Sequence, residues 1–300
     1  MRFVALATLL TLLVPAADAK LPPPPTETAV VSTGKAPCGL AVAGGNLLVG
    51  VYGTGQLLRL DRTGRIVDRV AVGRWACQVA VGGGATWVTR DNANELVRID
   101  RGDRIRRIAV PSPYDVTVAA GAAWVTSFET GTVTRLDLMG RRERVLRVGR
   151  HPTGIAACGG RVWVGHGRES TWVTAIEPRT GRAQRVDVGV RAARWPRCVR
   201  GELWVTTEDT ALRLAPRTSV VRAQFRLGST LAEAAAGPGR AAGVWVTDKE
   251  HSRVHRLDPV AGQVVDSFLA GPGALALESF AGSVWVTSFA GSDVRRFDTR

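Results

Sequence analysis

Three hundred residues, 45% of them hydrophobic, are enough to bury a large core and leave one or two domains open. The formal charge of +14 would draw the chain to polyanions such as acidic envelope polymers or phospholipid headgroups, but with only three lysines, at 20, 35 and 249, nearly all of it is arginine. Beyond the first twenty residues no segment is apolar enough to span a bilayer as a helix, which excludes a helically threaded membrane protein.

The chain begins with a short basic start at Met1 and Arg2, an apolar run from Phe3 to Val14 and a small-x-small site at Ala17-Asp18-Ala19. That is the pattern of a secretory signal peptide, and an apolar run of about a dozen residues is too short to cross a bilayer of roughly 30 Å. Residues 1–19 are expected to be cleaved off. Residues 20–25 carry four consecutive prolines and are expected to form a stiff tether. Residues 26–300 are left as one exported domain.

Within that domain a Trp followed by Val recurs at Trp87, Trp124, Trp163, Trp204, Trp245 and Trp285, and Leu48-Val49 holds the same place in the first unit. The spacings from Leu48 onward are 39, 37, 39, 41, 41 and 40 residues, the period of one four-stranded propeller blade. In the first unit an inner strand opens at Gly39 to Val42, Gly44-Gly45 makes a turn, and Leu47 to Val51, Gln56 to Asp61 and Arg65 to Val72 follow as strands. The seventh unit stops after Ser292 to Asp298, one strand short. Thr26 to Thr33 followed by Gly34 repeats the pattern of a fourth strand, so it is expected to complete the last blade and close the ring. The fold expected is all-β: a seven-bladed β-propeller of four-stranded antiparallel blades.

Arg59, Arg98, Arg135, Arg213, Arg256 and Arg296 occupy one position near the end of the third strand, and Asp61, Asp100, Asp137, Asp258 and Asp298 follow two places on. A feature repeated in nearly every blade serves what every blade shares. The Asp is expected to cap its turn through its side chain, and nucleic acid is not expected as a partner. The repeated Trp is read as a core layer. Trp75, Trp172 and Trp195 fall outside the repeat.

Four cysteines in an exported chain without a Cys-x-x-Cys spacing favour disulfides over zinc. Cys38 and Cys77 hold equivalent places at the start of inner strands in adjacent units, and Cys158 and Cys198 are one place out of register in another adjacent pair. Those two pairings are the most economical of the three connectivities, with separate buried thiols as the alternative.

Propeller ligands commonly meet the face made by the loops between blades and between second and third strands. There the sequence places Trp75, Arg90, Asp91, Tyr114, Phe128 and Glu129 in the early blades. His151, His166, Trp195, Glu208, Asp248 and His251 follow in the later ones. Arg168 and Phe289 lie on the same loops. These residues differ from blade to blade, where a regular scaffold carries its specificity. Asp91, Asp115, Glu129, Glu208 and Asp248 could alternatively converge on a divalent cation.

The run Trp124-Val-Thr-Ser-Phe128, then Thr132-Val-Thr-Arg-Leu-Asp137 and Val148-Gly-Arg-His-Pro152-Thr-Gly-Ile155, resembles the YVTN repeat of bacterial surface and periplasmic propellers. It is also similar to the repeats of streptogramin lyases such as virginiamycin B lyase. The latter resemblance implies linearisation of a cyclic depsipeptide by a His after a Pro at an inner-strand start, a Glu shortly after the aromatic residue of the same blade, and Mg²⁺. Here Pro37-Cys38, Pro113-Tyr114 and Pro152-Thr153 lack the His, His151 precedes its Pro, and Trp163 is followed by Gly165-His166-Gly167. Glu208 holds the acidic position only where Pro196 is followed by Arg197. The favoured reading is a secreted or periplasmic, monomeric binding scaffold for a small molecule or an envelope polyanion, with no cofactor. The alternative is a lyase or hydrolase of a cyclic ester dependent on Mg²⁺ or Ca²⁺.

Overall fold

The computed structural model describes residues 24–167, 169–228, 230–238 and 243–298. The signal-peptide reading, most of the tether and Arg168 lie outside them. The described chain forms seven four-stranded antiparallel sheets, each ordered from an inner to an outer strand. Blade 1 runs Pro37–Ala43, Asn46–Val51, Gln56–Leu60 and Ile66–Ala71, close to the strands expected from its turns. In the seventh blade Ala274–Phe280, Ser283–Ser288 and Asp293–Asp298 are completed by Thr26–Ser32, which pairs antiparallel with the last strand from Thr26 opposite Asp298 to Ser32 opposite Asp293. The expected ring closure is present.

The core lies between blades. Leu47, Val49, Leu58 and Leu60 of blade 1 pack with Phe280, Trp285 and Val294 of blade 7, and comparable clusters fill the other gaps. All six repeated Trp side chains are no more than 1% exposed. In four of them, Trp87, Trp124, Trp163 and Trp285, the indole N–H donates to the carbonyl five residues upstream at 3.1 to 3.3 Å, so burial leaves no donor unmet. Four of the six repeated Arg, Arg98, Arg135, Arg256 and Arg296, sit directly across from a Trp on the neighbouring strand and lay the guanidinium over its ring, at 5.5 Å for Arg98 on Trp87 and 5.4 Å for Arg135 on Trp124. The Asp two places on caps its turn in three units, at Asp61, Asp137 and Asp258, while Asp100 and Asp298 pair with Arg98 and Arg296. Asp61 Oδ1 accepts from the Thr63 and Arg65 main-chain N–H groups, and these bonds, with the Thr63 hydroxyl first, lower its pKa to about 2.

A further repeated residue joins the inner strands, the Thr that follows Trp-Val in five of the six units with that pair. Thr126 Oγ1 accepts from the Asp115 N–H of its own blade at 3.0 Å and donates to the Thr153 carbonyl of the next at 2.7 Å. Thr247 and Thr287 do the same, donating to Leu275 and Cys38. In blade 4 the place is held by Gly165, whose Cβ would lie 2.0 Å from the Arg194 carbonyl, and the Gly154 N–H reaches that carbonyl directly at 3.0 Å.

Both expected disulfides are formed, Cys38 with Cys77 and Cys158 with Cys198, at Cα separations of 4.9 and 5.3 Å. Each bridges neighbouring inner strands. Two disulfides fit an oxidising, extracytoplasmic compartment.

Candidate ligand-binding mouth of the propeller

The inner strands surround two chambers on the propeller axis. Their first residues ring an upper chamber of about 230 Å³ at the loop face, and their later residues ring a lower one of about 540 Å³. Gln78 borders both. Between them lies a charged belt. Arg197 donates to Asp115 Oδ2 at 3.1 Å and to Glu233 Oε1 at 2.6 Å, and Glu233 also accepts from Gln78. Asp115 Oδ1 and Oδ2 also accept the Val116 and Ile155 N–H groups. Burial works against the Arg197 charge, but the Glu233 and Asp115 carboxylates outweigh it and raise its pKa. Asp115 and Glu233 occupy equivalent places, beside an irregularity in the inner strand one residue before Val116 and Ala234. Such bulges re-aim side chains.

The same strand entrances impose an unusual backbone. The residue just before the inner strand has positive φ at Ala36, Trp75, Ser112, His151, Thr230 and Gly273. Glycine takes that left-handed conformation without cost, whereas Trp75 at +68° and His151 at +47° hold it with bulky side chains.

Tyr52, Tyr114, Trp195 and Phe289 supply the aromatic walls of the upper chamber, and Asp91, Arg194 and Lys249 its charges. Trp195 and Tyr114 pack at 5.5 Å between ring centroids, Tyr114 stacks on Phe128 at 5.4 Å, and Phe128 stacks on His151 at 4.8 Å. Four residues singled out from the sequence thus form one continuous aromatic ladder from the axis to the exposed rim. Across the chamber Tyr52 and Phe289 lie 6.3 Å apart. Burial raises the pKa of Asp91, partly countered by the Asn92 N–H and the Tyr52 hydroxyl. Burial first, then Arg194, lowers that of Lys249.

The other candidates are dispersed. Trp195 lines the chamber but is only 5% exposed, wedged against Gly154 and under the Arg197 guanidinium, so it is a wall and a core residue at once. Trp75 is half-buried, donates its main-chain N–H to the Tyr52 carbonyl and does not line the chamber. Arg90 ties its loop down through the Arg74 carbonyl and Glu95. His166 is fully buried inside blade 4: its Nδ1–H donates to the Arg150 carbonyl at 3.1 Å, which leaves Nε2 to accept from Thr174 Oγ1 at 2.9 Å. Asp248, also buried, accepts from the main-chain N–H and Nδ1 of His251, whose ring stays half-exposed. Glu129 and Glu208 are exposed on separate blades. The acids do not fit a shared cation: Asp115 is committed to Arg197 and Asp248 to His251. Among the described residues no three His, Cys, Asp or Glu side chains form a metal-ligating group.

Sequence reasoning missed Tyr52, Arg194 and Lys249 as chamber residues. A signal was present, because the chain's only two tyrosines, Tyr52 and Tyr114, and one of its three lysines meet here.

These features define a disulfide-braced seven-bladed propeller with an aromatic chamber at one end of its axis. The fold is streptogramin lyase-like. An inactive His-to-Ala virginiamycin B lyase from Staphylococcus aureus, solved with quinupristin, superposes with a TM-score of 0.78 at 16% identity over 92% of this chain and 99% of that one. A streptogramin B lyase gives 0.77 at 15% over 91% and 98%. The WD40 propeller domain of Doa1 gives 0.76 at 9% over 92% and 97%. Identities this low show a shared fold and leave chemistry to the site. No protein-family model and no curated protein sequence matches the chain.

Proposed function

We propose that the protein is an exported binding propeller that retains a small ligand in the upper axial chamber. The observation that carries this reading is the aromatic wall of that chamber. Tyr52, Tyr114, Trp195 and Phe289 stand outside the repeated Trp layer that the blades need for packing, and they converge from separate blades on one concavity of about 230 Å³. That volume suits a small molecule better than an envelope polymer. The signal-peptide pattern and the two disulfides support export.

The test is calorimetric titration with a panel of small aromatic compounds, repeated on Tyr114→Ala and Phe289→Ala. Loss of binding in both variants, with unchanged circular dichroism, is the expected result. Binding that survives in both variants would move the site elsewhere.

The competing reading is a Mg²⁺- or Ca²⁺-assisted lyase or hydrolase, favoured by the likeness of fold to the streptogramin lyases. No blade carries both a His after the inner-strand Pro and a Glu shortly after the aromatic residue, the acid and base pair that the lyase resemblance implies. Cation-dependent opening of a cyclic depsipeptide, abolished by Glu208→Gln, would establish catalysis in place of binding.

A further inference from the structure

We propose that the upper chamber selects an anion, a carboxylate joined to a flat apolar group, with Lys249 and Arg194 as its counter-ions. The inference rests on the binding reading above and names the ligand class.

Lys249 and Arg194 both line the chamber, and Lys249 Nζ lies 5.0 Å from the centre of the Phe289 ring. Among the described residues neither has a carboxylate within 4.0 Å, whereas the neighbouring buried cation Arg197 has two. The acid on the chamber wall, Asp91, is already engaged by the Asn92 N–H at 2.6 Å and by the Tyr52 hydroxyl. Burial first, and the nearby Arg194 charge second, hold the Lys249 pKa below its ordinary value, so its charge is disfavoured in this partly dehydrated space. A bound anion offsets that penalty and gains charge-assisted hydrogen bonds.

The size of the chamber adds the apolar half of the ligand. A dry cavity of about 150 Å³ holds a benzene ring, so 230 Å³ leaves about 80 Å³, room for a carboxylate and a short link. Tyr114 and Trp195 on one side and Tyr52 and Phe289 on the other give the ring stacking surfaces. Thr230, which also lines the chamber, already donates its hydroxyl to Glu250 and offers the anion less.

The probes are phenylacetate, its neutral amide phenylacetamide, and phenethylamine, titrated into the full chain by calorimetry. Phenylacetate should bind at least tenfold tighter than the amide, phenethylamine should bind weakest, and Lys249→Gln should abolish the preference for acid over amide while leaving the melting temperature in place. A dipeptide ending in Phe serves as a further arm: tighter binding than phenylacetate supports the same chemistry with a peptide C-terminus as its source. Equal binding of acid and amide, or an unchanged preference in Lys249→Gln, overturns the anion selection and leaves the binding reading standing. Failure of every probe, charged or neutral, overturns both.

Discussion

Thr287 Oγ1 donates to the main-chain carbonyl of Cys38 at 2.9 Å, so the last blade is fastened to the first by the same bond that joins blades 3 and 4. The hydroxyl is buried and also accepts the Ala276 N–H. Replacing Thr by Val keeps the shape and leaves a buried donor and a buried acceptor unmet, at about 1 to 3 kcal/mol each. Thr126→Val and Thr287→Val should therefore each lower the stability measured by urea unfolding by a few kcal/mol. Equal stability of the variants would mean that backbone pairing alone holds neighbouring blades.

Deleting residues 20–34 removes the strand that closes blade 7. The edge of Asp293–Asp298 would lose its ladder, and Arg295 would lose its ion pair with Glu27 at 3.0 Å. Stability should fall by several kcal/mol out of a total that is commonly about 5 to 15, and the bared edge should promote association. Thermal unfolding and sedimentation check both. A monomer with an unchanged midpoint would show the closure to be dispensable.

Peptide mapping without reduction should recover Cys38 linked to Cys77 and Cys158 linked to Cys198. Each bridge closes a loop of 39 or 40 residues, for which removal of a disulfide costs about 2 to 4 kcal/mol. Cys38→Ser/Cys77→Ser and Cys158→Ser/Cys198→Ser should lower the melting temperature separately and, because the bridges lie between different blades, nearly additively.

The blade period, the ring closure and both disulfides were legible because each is a matter of register along the chain. Trp-Val spacing sets which strand follows which, and near-equivalent places on inner strands of adjacent units pointed to which cysteines meet. The chamber was legible only in part. A loop position tells which face a residue belongs to and leaves open whether it turns to the axis, the rim or the interior. Tyr114 and Trp195 turn to the axis, His151 to the rim and His166 to the core, although all four were read from the same loops. Lys249 was hidden because it follows Asp248 in a turn otherwise read for its acids, and Thr126 was hidden inside a motif read for its Trp.

The last prediction concerns the buried His166 and the half-buried Glu278, which respond to pH in opposite ways. Burial lowers the His166 pKa from 6.5 to about 4, with the Arg150 carbonyl offsetting part of the effect. The folded protein thus keeps the ring neutral where the unfolded chain protonates it. The stability this gives is present above about pH 6.5 and is lost as pH falls towards 4. Burial raises the Glu278 pKa from 4.5 to about 7, against the opposing Ser279 N–H. The folded protein keeps this carboxyl neutral where the unfolded chain ionises it, so its favourable contribution is present below about pH 4.5 and is lost as pH rises to about 7. Displacements of this size correspond to about 3 kcal/mol each. Between pH 4.5 and 6.5 the two nearly cancel, and their contribution to the wild-type profile is close to flat. Glu278→Gln removes the falling half, so its stability should climb with pH across that window. His166→Gln should do the reverse, whatever it costs in absolute stability through the lost Thr174 and Arg150 contacts. Urea unfolding at half-unit intervals of pH reads both slopes. Two variants as flat as the wild type would show that neither group is held neutral by the fold.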